Sequence, residues 1–177
     1  MKKILAIVVV LVVVGGGAYY WYQHQGTPGS AVTTAAGSAA LTKPYSNSAY
    51  GFSLKMPADF AAQELQDDAG GETVVLQNTT GDGIQIVVSP FDEDTGSGYT
   101  LTKERILQDI PDMSISGEQP VTVGNNYTGL AFVSDSDAFG QGSRAVWFVY
   151  KGNLYQINTY ARLDDLLKAI FGTWNFE

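Results

Sequence analysis

The 177-residue sequence has no cysteine and a single histidine, and only 16% of its residues are charged. Without cysteine there is no disulfide framework, no thiolate nucleophile, no Cys-ligated zinc and no N-terminal Cys to carry a lipid. The one histidine, His24, sits in a polar segment ahead of the globular part. A Ser-His-Asp triad, an HExxH zinc site and histidine general-base catalysis are therefore closed to the domain. Basic residues are also scarce, 10 against 18 acidic ones, giving a net charge of −8. Nucleic-acid binding depends on Lys and Arg to neutralise phosphates, so this balance argues against a nucleic-acid partner. The glycine clusters match neither GxGxxG nor a P-loop, and no phosphate cradle is indicated.

What is present first is an N-terminal hydrophobic run. Lys2 and Lys3 precede an uncharged stretch from Ile4 to Tyr22. As a helix at about 1.5 Å per residue it is roughly 28 Å long, enough to span a hydrocarbon core of about 30 Å. Tyr19, Tyr20, Trp21 and Tyr22 close it like an interfacial aromatic belt, and the two lysines stay inside by the positive-inside rule. Residues 1–22 are thus expected to be a transmembrane helix that leaves the rest of a single-pass protein outside the plasma membrane. The alternative is a signal peptide cut near Gly16-Gly17-Ala18, which exports the domain as well. Residues 23–43 are Gly, Ser, Thr, Ala, Pro and Gln with almost no charge, a composition expected of a flexible tether.

Residues 44–177 carry all 18 acidic residues and are long enough for one sizeable core. Tyr50 to Pro57 alternates and stops at proline, as a strand does. Thr73 to Gln77 and Ile84 to Ser89 flank a turn-rich segment and predict a hairpin. Leu101 to Ile110 places Ile106, Leu107 and Ile110 on one face and predicts a helix capped by Thr100 or Thr102. Val121 to Val123 and Tyr127 to Val133 predict a second hairpin, and Ser143 to Tyr150 with Leu154 to Ala161 a third. Leu163, Leu166, Leu167 and Ile170 follow helical spacing, with Asp164 and Asp165 in the first turn and Gly172 as the stop. Consecutive hairpins with few helices predict an α+β domain: a mostly antiparallel sheet of about six to seven strands, flanked by helices as a helix–sheet–helix sandwich.

The third hairpin bears on function. Symmetric pairing about Gly152 puts Trp147, Val149, Tyr155 and Ile157 on one face and Val146, Phe148, Tyr150, Leu154 and Tyr160 on the other. Two apolar faces describe a central strand pair covered on both sides. Alternatively, the face with Val146, Phe148, Tyr150 and Tyr160 stays partly open as a partner-binding surface.

Two acidic loops supply oxygen ligands suited to Ca²⁺. The first holds Asp92 and Asp94; the second holds Asp135 and Asp137. Neither follows the EF-hand, since Lys103 and Val146 stand at the twelfth positions where a glutamate is needed. Solvated acidic loops and turn geometry account for both as well. Asp67-Asp68 before Gly70-Gly71 reads as a turn, although a carboxylate pair is also the apparatus of glycoside hydrolysis. Asn78-Thr79-Thr80 and Asn126-Tyr127-Thr128 match glycosylation sequons, a match that turn asparagines make by chance. Arg144 and Arg162 lie near the ends of the third hairpin and read as surface residues.

The order of these pieces resembles a known family. An aromatic-Gly-Phe-x-Leu-x-x-Pro strand (Tyr50 to Pro57) comes first, followed by an acidic loop and the Leu101 to Ile110 helix. Paired strands follow with Trp147-Phe148-Val149-Tyr150 and Leu154-Tyr155-Gln156-Ile157, and a terminal helix ends in Trp174-Asn175-Phe176. This layout resembles the PsbP-like domains, which share a fold with the Ran-binding Mog proteins. The resemblance implies an antiparallel sheet flanked by helices, in a membrane-anchored bacterial member with an N-terminal segment and a polar linker. Plant members are extrinsic subunits that help photosystem II hold calcium and chloride. The metal-binding histidines of some members have no counterpart here, so no functional residue carries over. The expectation is a membrane-anchored, extracytoplasmic, non-enzymatic domain that binds or scaffolds a protein partner and needs no cofactor. A Ca²⁺ or small-ligand sensor and a carboxylate-dependent hydrolase stand as the alternatives.

Overall fold

The structure, a computed structural model, describes residues 40–68, 70–91, 93, 99–124, 127–136 and 138–177. The Ile4 to Tyr22 run lies outside them. Among the described residues no helix is long and apolar enough to cross a membrane.

Among the described residues ten strands and two α-helices follow one another as β1 (Leu41–Asn47), β2 (Phe52–Pro57), β3 (Ala61–Gln66), β4 (Glu72–Gln77), β5 (Gly83–Pro90), α1 (Lys103–Asp109), β6 (Ser116–Val123), β7 (Tyr127–Ser136), β8 (Gly140–Tyr150), β9 (Asn153–Thr159), α2 (Asp164–Phe171) and β10 (Asn175–Phe176). They form two antiparallel sheets, not one. The larger runs β3-β4-β5-β9-β8-β7-β6, and the smaller runs β1-β2-β10. The small sheet was not foreseen as a layer. Strand β1 begins at Leu41, within the residues whose composition reads as linker.

Alternation explains the layering. Val74, Ile86, Ile157, Val146 and Ala131 are paired in turn across five strands and point to one face, where all are buried. The small sheet meets them with Phe52, Leu54 and Met56, and α2 adds Leu167, Ile170 and Phe171. Burying each such aliphatic side chain contributes about 1.5–3 kcal/mol. The opposite face has a smaller core in which Phe132, Ala145, Trp147 and Leu154 meet Ile106 of α1 together with Leu101, Phe91 and Ile115. One face of the large sheet is therefore covered by a helix, and the other mainly by a second sheet with a helix beside it. That corrects a pure helix–sheet–helix sandwich. The sequence between α1's neighbours has too few helical residues to cover more than one face, whereas β2 is apolar enough to form a layer.

The third hairpin also closes differently. Tyr150 pairs with Asn153, and Phe148 with Tyr155, so the loop is only Lys151-Gly152. Both loop residues have positive φ, 47° and 73°, the type I′ geometry whose twist matches that of the strands. A one-residue change in register exchanges faces. Tyr155 and Ile157 therefore join Val146 and Phe148 on the sandwich side, and Leu154 joins Trp147 under α1.

Both helices sit within a residue or two of their expected limits. Thr102, not Thr100, caps α1, its hydroxyl accepting from the Arg105 N–H at 3.3 Å. A short 3-10 turn, Ala161–Leu163, precedes α2, and Asp164 pairs with Lys168 one turn on at 2.7 Å.

Candidate functional site

Strand register places the turns at two ends of the sandwich. Leu41, Pro57, Ala61, Gln77, Gly83 and Thr159 mark the end where the chain enters β1. The opposite end collects the turns after β1, β3 and β8 and the start of β7.

At this second end the aromatic side chains form a row. Tyr127 meets Tyr150 edge-on with ring centres 4.6 Å apart, and Phe176 lies 3.9 Å from Tyr150 and 4.8 Å from Tyr127. Phe176 also touches Tyr155, and Tyr155 meets Tyr50 at 6.5 Å, near-perpendicular. Tyr50, Tyr127, Tyr150 and Phe176 are half-buried, while Tyr155 is interior. β10 holds Phe176 here by pairing with Phe52, and the Glu177 N–H donates to the Gly51 carbonyl at 2.9 Å. The hydrogen bond between Tyr127 and Tyr150 is the main cause raising the Tyr127 pKa; burial first, then Glu72 and Asp67, raises that of Tyr50.

Below the row lies a buried carboxylate that pattern reading did not single out. Glu72 is 1% exposed and opens β4 on the inward parity of Val74 and Leu76. Its two oxygens accept from Asn47 Nδ2 and Gln66 Nε2. The Tyr50 N–H donates to Asn47 Oδ1 at 2.9 Å, which fixes the Asn47 amide with its nitrogen toward Glu72. No Lys or Arg among the described residues makes an ion pair with Glu72. Tyr45 completes the seam between the sheets, its hydroxyl donating to Glu64 at 2.7 Å. The parity of Glu72 with Val74 and Leu76 was the available signal in the sequence; a lone glutamate at a strand start gave no other.

The residues singled out from sequence fall in several places. Val146 is 4% exposed and Phe148 is fully buried, stacked on Tyr155 at 4.8 Å, so neither offers contact surface. The small sheet covers that hairpin face, as the reading of a strand pair covered on both sides has it and the open-surface alternative does not. Tyr150 does reach the surface. Tyr160 is half-buried at the other end of β9, where its ring meets Phe139 and lies under Arg162, so it is not brought together with Tyr150. Asp92, Asp94 and Asp137 lie outside the described residues. Asp135 accepts the Ser114 N–H at 3.2 Å. Among the described residues no group of three or more His, Cys, Asp or Glu side chains is arranged to hold a metal. Arg144 pairs with Asp164 of α2 at 3.1 Å and Arg162 with Asp82 at 2.5 Å, neither with an acidic loop named above. Asn78 folds its side chain inward, with Oδ1 accepting from the Thr80 and Asp82 N–H groups, which is turn chemistry. A shallow groove of about 520 Å³ runs between the start of α1 and β6, floored by Leu101, Pro120 and Leu130.

No family model matches the sequence, and neither does any curated protein. Among solved structures the chain is similar to cyanobacterial PsbP (CyanoP) from Synechocystis sp. PCC 6803, with a TM-score of 0.52 and 16% identity. The match covers 84% of this chain and 98% of that one. At that identity the likeness is one of fold, and the fold of this domain is PsbP-like.

Proposed function

We propose that this chain is a membrane-tethered, extracytoplasmic binding module with no catalytic activity, which scaffolds a protein partner through the aromatic row. The N-terminal run anchors it in the plasma membrane, with Lys2 and Lys3 inside, and residues up to 40 act as the tether. One observation carries the reading: Tyr127, Tyr150 and Phe176 form a half-buried aromatic surface at the end of the sandwich away from Leu41, where the tether attaches. Aromatic side chains of this kind dominate protein interfaces, and a tether raises local concentration while leaving that end free to turn outward. The test is a photocrosslinking amino acid placed at Tyr150, and separately at Tyr160, in the full-length protein in cells. A single dominant partner captured from position 150 and not from 160 supports the reading. Equal yields from both positions, or no adduct from 150, overturn it.

A further inference from the structure

An edge strand turns unpaired N–H and C=O groups outward, where a further strand can add, and folded chains blunt such edges with proline, bulges, charge or shortness. Among the described residues the two sheets end at β1, β10, β3 and β6. The first two and the last are blunted. β10 has only two residues. β1 has a register shift between Leu41 and Lys43, followed by Pro44. Pro44 stands opposite Lys55, whose N–H is turned away from β1 to the Thr173 hydroxyl, so the N–H that this proline lacks would face outward. β6 has a register shift between Ser116 and Gln119, with Gly117 at φ 63°, and Glu118 in the shifted stretch pairs with Lys103. Pro120 lies just beyond it. The type I′ turn closes β8–β9 on the Tyr150–Asn153 pair, and alternation from there turns the Trp147 backbone to Leu130. Leu130 is thus bonded to β8, and the missing N–H of Pro120 opposite it again faces the open edge.

β3 has none of these devices. It pairs with β4 one residue to one, from Ala61–Gln77 to Gln66–Glu72, and contains no proline, glycine, lysine or arginine. All of it is exposed except half-buried Leu65. Its one charge, Glu64, is drawn to the Tyr45 hydroxyl. The Asp67 N–H donates to the Gly71 carbonyl at 3.0 Å, and alternation from that pair turns the backbones of Leu65, Gln63 and Ala61 toward β4. Ala62, Glu64 and Gln66 therefore present their N–H and C=O groups along an uninterrupted outer edge. We infer that β3 is a docking edge for an extended segment of another protein, which adds a further strand to the large sheet with uncharged or basic residues opposite Glu64. The net charge of −8 favours such a segment over an acidic one. A second copy fits worse, because the two-fold register that pairs the whole strand sets Glu64 against Glu64, and like charges directly opposed are destabilising. This edge does not depend on the aromatic row and goes beyond the reading above.

Fluorescence anisotropy of a labelled peptide of alternating lysine and valine tests this on the full-length protein in detergent at about 0.15 M salt. The same peptide N-methylated throughout keeps its charge and loses its backbone donors, and is expected to bind more than about tenfold more weakly. Hydrogen exchange resolved by residue is expected to slow at Ala62, Glu64 and Gln66 when the first peptide binds, and not at Thr122 of β6. Ala62→Pro takes an outward N–H from β3 and spares its bonds to β4, and is expected to weaken binding about tenfold; Thr122→Pro, the same change on β6, alters it less than about twofold. A urea midpoint checks that each variant folds, and the exchange pattern of the parent decides if Ala62→Pro does not. Equal binding of the N-methylated peptide would mean attraction to an acidic surface alone and overturns the inference. Equal losses from the two proline variants, protection that spares β3, or no binding of the first peptide also overturn it. Protection of the β3 amides that rises with protein concentration without peptide gives the edge to a second copy and overturns the occupant named here. None of these readouts involves Tyr150, so the aromatic surface stands or falls separately by its own crosslink.

Discussion

Replacing Glu72 by alanine removes the acceptor for two amides at the seam between the sheets. Asn47 is 3% exposed and keeps only a 3.3 Å contact with the Tyr45 hydroxyl, so its Nδ2 is left nearly unpaired at about 1–3 kcal/mol. Gln66 is exposed, and water replaces its bond at little cost. The lost methylene adds about 0.8 kcal/mol, and the cavity somewhat more. The total is about 2–4 kcal/mol, a fall in Tm of roughly 8–16 °C at about 4 °C per kcal/mol for a domain of this size. Glu72→Gln behaves differently. Its oxygen still accepts from the pinned Asn47 amide, its nitrogen meets Gln66, and the exposed Gln66 turns its own oxygen inward. A buried side chain with no cation partner among the described residues becomes a neutral amide at the same time, so the change is expected within about 1 kcal/mol of the parent. Urea denaturation followed by the fluorescence of the buried Trp147 and Trp174 measures both variants. If Glu72→Gln loses as much as Glu72→Ala, the charge holds the seam, and reasoning from hydrogen-bond geometry fails.

Two further perturbations test the fold elsewhere. Gly124 has φ 58°, and a Cβ there would come within 2.7 Å of the Trp174 carbonyl oxygen, so Gly124→Ala is expected to cost about 2 kcal/mol or more in the same denaturation assay; an unchanged midpoint refutes the close packing of that turn on the C-terminal segment. Burial, foremost, holds the hydroxyls of Tyr45 and Tyr155 well above the usual tyrosine range, whereas the unfolded chain ionises its tyrosines near pH 10. The stability these groups contribute is whole below about pH 10 and is lost as pH rises toward their folded-state values. Unfolding free energy measured against alkaline pH should therefore fall less steeply in Tyr155→Phe than in the parent, and equal slopes would refute the assignment.

The parts legible in the sequence are those whose burial writes a period. The β4–β5 hairpin and α2 were plain because Val74, Leu76, Ile84 and Ile86, and then Leu167 and Ile170, face the core at strand and helix spacing. Strands β1 and β3 were not. β1 contains Pro44 and borders a polar stretch, and it becomes a strand by pairing with β2 and resting Tyr45 near Phe52 at 6.1 Å. β3, Ala-Ala-Gln-Glu-Leu-Gln, has a composition that suits helices and is mostly exposed, so pairing with β4 alone makes it extended. Two apolar faces marked the β8–β9 pair as covered on both sides, and Val146 and Phe148 are interior as that reading has them; the cover itself, the small sheet, and the exposure of Tyr150 at its edge were not legible. The hairpin register turned on Lys151 accepting a positive φ, a preference a lysine does not advertise.

The small sheet also sets the order in which the domain can be completed. β2 lies between β1, its near neighbour in sequence, and β10; the Lys55 N–H is bonded to the Thr173 hydroxyl across 118 residues, and the Trp174 ring lies flat on Phe52 at 4.7 Å. A nascent chain therefore holds the apolar side of β2 without its final cover until nearly all of the domain has been synthesised. Contacts this distant close slowly, and until then the exposed strand is open to chaperones or to misassociation. The arrival of Thr173, Trp174 and β10, and not the making of the first hairpins, is the event that seals this core.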